Sequence, residues 1–178
     1  MRRRLLAERA ARPATDIARA RRAVAKLVVD RAAHAGWRTV AAYVPMRTEP
    51  GSLALLDGLR ATGLGLLVPV VLADNDLDWT SWPDGTDRLG PQAIADVDAV
   101  LVPALAVTRA GVRLGRGGGS YDRALARLTR QVPRVALLYD GELVDELPAD
   151  PWDRPVSEVV TPSGWVVINP DRPGVDAE

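Results

Sequence analysis

Apolar residues fall along this chain in two rhythms. From Met1 to Ala35 they are spread at helical spacing through a stretch rich in Ala, Leu and Arg and broken by Pro13, which predicts two helices. Thr15 or Asp16 is placed to cap the second, in which Ile17, Val24, Leu27 and Val28 supply the buried face. Thr39–Val44, Leu64–Leu72, Ala99–Val107 and Arg134–Tyr139 are instead short, nearly continuous apolar runs, the pattern of strands covered on both faces. Ser52–Thr62 and Tyr121–Thr129 read as helices between them. Asp74–Pro91 is polar and turn-rich with Trp79 and Trp82, and Val156–Thr161 and Trp165–Ile168 read as late strands.

Strand and helix alternation of this kind predicts an α/β fold with a mostly parallel sheet covered on both faces. Ligands of such sheets sit beyond the carboxyl ends of the strands. The Tyr43–Glu49 loop and the glycine-rich loop after Ala99–Val107 are therefore placed to meet over one cleft.

Composition narrows this picture without choosing a function. At 178 residues, 47% of them apolar, the chain can bury one good core, and a single domain over residues 1–168 is expected, with a loose tail over 169–178. Formal charge is zero, so no global field favours nucleic acid or an anionic membrane, and any anion site must be local. The Arg2-Arg3-Arg4 run, with no interleaved aromatics, reads as a solvated helix terminus. The absence of cysteine excludes disulfides, thiolate nucleophiles and sulfur-ligated zinc. No stretch has the length of a membrane span or a signal peptide, which leads to the expectation of a cytoplasmic protein. His34 is the single histidine, in an Ala-rich helical stretch with no serine or acid beside it, and reads as a surface or helix-end residue rather than a triad member.

The chemistry concentrates in Asp98–Arg123, DAVLVPALAVTRAGVRLGRGGGSYDR. Gly115, Gly117, Gly118 and Gly119 put four glycines into five positions, so the backbone can turn through left-handed conformations and present several N–H groups to an anion. Arg113 and Arg116 add guanidinium charge suited to phosphate or carboxylate oxygens. Asp122 follows at the start of a helix, where a carboxylate can hold hydrated Mg²⁺ beside bound phosphates. The loop has neither the Lys-Ser/Thr of a Walker A element nor the G-x-G-x-x-G spacing of dinucleotide sites. Taken by residue chemistry alone, Glu49 is a solvated loop acid, Tyr121 either stacks on a ligand or packs at the helix start, and Trp152 is a packing residue.

The wording RLGRGGGSYDRAL after an LVPALAV strand resembles the signature block of the 5-formyltetrahydrofolate cyclo-ligases, also called 5,10-methenyltetrahydrofolate synthetases. YVPMRTE at Tyr43–Glu49 resembles their folate-holding strand and acidic loop, and LPADPWDRPVSEVVTPS at Leu147–Ser163 resembles their C-terminal block. The resemblance implies a three-layer α/β/α sandwich and an ATP- and Mg²⁺-dependent closure of 5-formyltetrahydrofolate to 5,10-methenyltetrahydrofolate with release of ADP and phosphate. It implies small-molecule partners only, as monomer or homodimer.

Carried over residue by residue, the resemblance makes Arg113, Leu114, Gly115, Arg116, Gly117, Gly118, Gly119, Ser120 and Tyr121 the ATP loop, with Arg2 also touching ATP. Arg116 and Tyr121 take the catalytic roles. Val44, Glu49 and Arg116 through Ser120 contact the folate, and Asp122 and Asp153 serve Mg²⁺. Three positions depart from the family: no lysine stands four residues ahead of Arg2, Ser120 replaces a tyrosine, and Thr108 replaces a frequent aspartate. These keep a second reading open, a non-catalytic nucleotide- or folate-binding homologue acting as sensor or store. A phosphosugar isomerase would share the anion loop without needing the acid pair.

Overall fold

The computed structural model describes residues 1–168, so the expectation for the tail from Asn169 lies outside the described residues. Helices α1 (Arg2–Ala11) and α2 (Ala14–Ala35) lead into strand β1 (Thr39–Ala41), helix α3 (Leu53–Ala61) and strands β2 (Gly65–Val71) and β3 (Leu77–Ser81). A short 3₁₀ turn over Pro91–Ile94 precedes β4 (Ala99–Pro103), β5 (Ala106–Thr108) and β6 (Arg113–Leu114). Helix α4 (Ser120–Leu125) and strands β7 (Arg134–Leu137), β8 (Leu143–Val144), β9 (Glu158–Thr161) and β10 (Gly164–Val167) complete the described chain.

Seven strands form the main sheet in the order β10-β9-β7-β4-β1-β2-β3. The five inner strands run parallel, and β3 and β10 close the two edges antiparallel. One face is covered by α2 and α3, whose Val24, Val28, Ala32, Leu55, Leu56 and Leu59 pack on Val40, Leu66, Leu101 and Val135. The four-residue spacing of Val24, Val28 and Ala32 sets these side chains on one stripe of α2. The opposite face is covered by a thinner layer, with Ile94 of the 3₁₀ turn and Ala124 and Leu125 of α4 against Val100, Val102, Ala136 and Val159. This is the three-layer α/β/α arrangement with a mostly parallel sheet. A second sheet, β6-β5-β8, sits beside it. There Leu105, Ala106 and Leu114 receive Leu5 of α1.

Several expectations are corrected. The Ala99–Val107 run is two strands, because the chain leaves the main sheet at Ala104 and Leu105 and β5 pairs instead with β6 and β8. The Asp74–Pro91 stretch contains β3, whose Trp79 is fully buried; alternation with polar Asp78 and Thr80 hid an edge strand. Neither Thr15 nor Asp16 caps α2: the Pro13 carbonyl accepts from the Asp16 and Ile17 N–H groups, starting the helix earlier, and Asp16 pairs with Arg19 at 2.9 Å. Ile17 and Leu27 are half-buried where Val24 and Val28 are fully so. Helix α3 is capped by Ser52, whose Oγ accepts from the Leu55 N–H at 3.1 Å. His34 is exposed in the last turn of α2.

Candidate active site

The carboxyl ends of β1, β4 and β7 deliver three segments to one edge of the sheet: Tyr43–Glu49, the β5–β6 hairpin with its glycine loop, and Tyr139–Glu142. In the loop, Gly117 at φ 101° and Gly119 at φ 66° occupy backbone conformations that side-chain-bearing residues avoid. Beneath it the Arg113 guanidinium is nearly buried and donates to both oxygens of Asp122 at 2.9 and 3.0 Å and to the Pro103 carbonyl at 3.3 Å. Arg113 is thus a clamp holding the loop to α4. Arg116 is the open cation, its side chain 45% exposed and 3.4 Å from Glu49 Oε1. Arg2 Nε donates to the Gly115 carbonyl at 3.0 Å, which lays the start of α1 across the loop. Two buried polar atoms under the loop, Tyr121 Oη and Arg113 Nε, have no hydrogen-bond partner.

Glu49 corrects its reading from residue chemistry alone, because only 5% of it is exposed. Its carboxylate accepts from the Met46 N–H at 2.8 Å and faces Arg116. Arg21 of α2 fixes the same loop from behind, donating to the carbonyls of Met46, Arg47 and Glu49 at 2.9, 3.0 and 3.0 Å. Val44 is 44% exposed at the front of the loop. Tyr43 is buried, and burial together with the Glu49 charge pushes its phenol well above the ordinary range. Burial raises Tyr121 too, against the pull of Arg113, so both phenols stay protonated and offer O–H donors. Tyr121 packs against both cores, and its hydroxyl is left without a partner.

The structure also shows functional neighbours that the sequence reading missed. Arg9 of α1 is 1% exposed and donates to both oxygens of Glu142 at 2.8 and 2.7 Å and to the Ala104 carbonyl at 2.8 Å. Burial works to lower the Arg9 guanidinium, but the bond and charge of Glu142 outweigh it and the net shift is upward. Glu142 accepts in addition from the Tyr139 N–H at 2.8 Å. The Tyr139 ring lies 4.2 Å from the Arg12 guanidinium, and its hydroxyl donates to the Thr48 carbonyl at 3.2 Å. Arg9 was one arginine among many; its one signal is the four-residue offset from Leu5, which puts both on the buried stripe of α1.

The two acids chosen for metal lie on neighbouring turns, and each carboxylate has its own partners. Asp122 Oδ1 accepts from the Arg154 N–H at 3.1 Å, bringing the Asp153–Arg154 backbone to the start of α4, while Asp153 Oδ2 accepts from the Asp150 N–H at 2.9 Å. Trp152, expected to pack, is 68% exposed because it rides the outside of this turn. Thr108 is buried and its Oγ1 accepts from the Val112 N–H at 3.1 Å, a turn-forming task within reach of an aspartate as well.

A glycine loop with one open arginine stands beside a buried acid at the carboxyl ends of a parallel sheet, the arrangement of an α/β enzyme. The comparisons give this class its family. The chain belongs to the 5-formyltetrahydrofolate cyclo-ligase family, whose model matches residues 1–162. It is 42% identical over 150 residues to the 5-formyltetrahydrofolate cyclo-ligase of Mycolicibacterium smegmatis, covering 73% of this chain and 76% of that one. A structure of a 5,10-methenyltetrahydrofolate synthetase from Mycoplasma pneumoniae superposes with a TM-score of 0.78 at 25% identity, covering 90% of this chain and 96% of that one. The Aquifex aeolicus 5,10-methenyltetrahydrofolate synthetase superposes with a TM-score of 0.71 at 26% identity, covering 99% and 94%.

Proposed function

We propose that this cyclo-ligase converts 5-formyltetrahydrofolate to 5,10-methenyltetrahydrofolate using ATP and Mg²⁺, in the cleft between the glycine loop and the Glu49 loop. The observation that carries the reading is the 3.4 Å approach of Arg116 to Glu49, 67 residues apart in sequence, which joins the anion-binding and folate loops in one site. Glu49 and Val44 hold the pterin, the carboxylate accepting from its N–H groups. Backbone N–H groups from Arg113 to Tyr121 and the Arg116 and Arg2 guanidiniums hold the ATP phosphates.

The formyl oxygen takes the γ-phosphoryl group, ADP leaves, N10 attacks the activated carbon and gives up its proton, and the C–O bond breaks to release phosphate, which carries that proton away. No covalent enzyme nucleophile is required, because alignment and charge stabilisation carry phosphoryl transfer. Arg116 stands between the two ligands and neutralises charge on the moving group. The unpartnered Tyr121 hydroxyl beneath the loop fits a site whose polar partner arrives with the substrate. Asp122 would serve a cation that takes one carboxylate and fills its shell with phosphate oxygens and water, exchanging part of its bond with Arg113 for the metal, with Asp153 on the neighbouring turn whose Arg154 N–H meets Asp122. Mg²⁺ held there would supply charge neutralisation of the phosphates. We place the reaction in the cytoplasm; no helix among the described residues is long and apolar enough to cross a membrane.

Purified protein with 5-formyltetrahydrofolate and Mg-ATP is expected to generate the near-ultraviolet chromophore of the methenyl product, with ADP released one for one. Omission of either substrate abolishes it. Tight binding of folate or ATP with no product would overturn catalysis in favour of a sensor or store.

A further inference from the structure

Glu49 sits in a loop with no strand or helix of its own, so the direction of its side chain depends on the two peptide planes that flank its Cα. The plane before it joins Thr48 to Glu49. Its carbonyl accepts from the Tyr139 hydroxyl at 3.2 Å, and its N–H donates to the Met46 carbonyl at 3.0 Å. The plane after it joins Glu49 to Pro50, which offers no N–H, and its carbonyl accepts from Arg21 Nε at 3.0 Å. The Arg21 guanidinium also takes the carbonyls of Met46 and Arg47 at 2.9 and 3.0 Å. Two side chains from separate parts of the fold therefore hold every carbonyl from Met46 to Glu49.

Neither anchor is free to follow the loop. Tyr139, just beyond β7, is 2% exposed; its N–H donates to the buried Glu142 carboxylate at 2.8 Å, and the Arg12 guanidinium lies 4.2 Å over its ring. Arg21 projects from α2, whose neighbouring Ala20, Val24 and Val28 are buried. With both planes set, the Glu49 carboxylate reaches the Met46 N–H with one oxygen at 2.8 Å and Arg116 with the other at 3.4 Å. Resting on the cyclo-ligase reading of the cleft, we infer that Tyr139 and Arg21 are positioning residues for folate: they fix the backbone on both sides of Glu49, so its carboxylate is presented at the cleft before the pterin arrives. A carboxylate on an unfixed loop has to be ordered at each binding event, and that cost falls on folate affinity rather than on the nucleotide.

Tyr139→Phe removes the single hydroxyl and keeps the buried ring under Arg12. It is expected to raise the KM for 5-formyltetrahydrofolate about threefold to tenfold, the size of one lost hydrogen bond, while the KM for ATP stays at its wild-type value. Arg21→Lys keeps the positive charge but lacks the fork that reaches three carbonyls, and it should raise the folate KM by about tenfold or more, again sparing ATP. Amide exchange read by NMR on the free proteins should show the Met46 and Glu49 N–H groups exchanging faster in both variants, with the amides of β1 and β4 unchanged. An unchanged folate KM in either variant, or an ATP KM that rises as much as the folate KM, would overturn the inference while leaving the cyclo-ligase reading intact. Should wild type make no methenyl product, that reading fails, and the exchange experiment still decides the positioning: faster exchange at Met46 and Glu49 upholds it, and wild-type protection in both variants overturns it.

Discussion

Arg9→Met tests whether the buried pair with Glu142 holds the N-terminal helix to the site. Both partners are almost solvent-free, at 1% and 5% side-chain exposure, and are joined by two bonds of 2.8 and 2.7 Å. Removing the guanidinium leaves the Glu142 carboxylate buried with only the Tyr139 N–H, a loss expected to be about 3–5 kcal/mol. For a chain of this size that lowers Tm by roughly 6–20 °C, taking about 2–4 °C per kcal/mol. Adding Glu142→Gln should recover much of the loss, because the amide oxygen still accepts from Tyr139 while the unpaired charge disappears. Urea unfolding of wild type, both singles and the double measures the coupling directly. Because α1 also carries Arg2 across Gly115, the single variant should bind ATP more weakly even where it is fully folded. A single-variant loss below about 1 kcal/mol, or strict additivity in the cycle, would refute the buried-pair argument.

Three further outcomes are expected. Arg116→Ala should lower kcat/KM by about tenfold to a hundredfold, the size of a lost charge-assisted bond, with Tm little changed because the side chain is half exposed; unchanged turnover would remove Arg116 from the site. Glu49→Gln should raise the folate KM more than the ATP KM, and equal losses would mark the residue as structural, given its bond to the Met46 N–H. Asp76 is held below its ordinary 3.8, first by its bond with Arg127, so its stabilisation is present above about pH 4 and is lost as pH falls through the depressed value. Asp76→Asn should therefore reduce Tm at neutral pH and flatten its fall below pH 4, and a parallel acid limb would contradict this.

Apolar runs and the glycine cluster were enough to read the parallel α/β sheet, its helix layers and the tight turn of the glycine loop, because those features depend on local periodicity and on residues such as Gly117 whose backbone conformation is set by residue type. What the pattern left open depends on contacts between residues distant in sequence. The break between β4 and β5 is invisible in a continuous apolar run, since only pairing partners tell one strand from two. Burial of Glu49 follows from Arg116 and the backbone of Met46 meeting it, and the selection of Arg9 over its arginine neighbours follows from Glu142, 133 residues away. A charged side chain carries no mark of its partner, and the energy of burying it is repaid only when the fold supplies one, so these assignments belong to the tertiary structure alone.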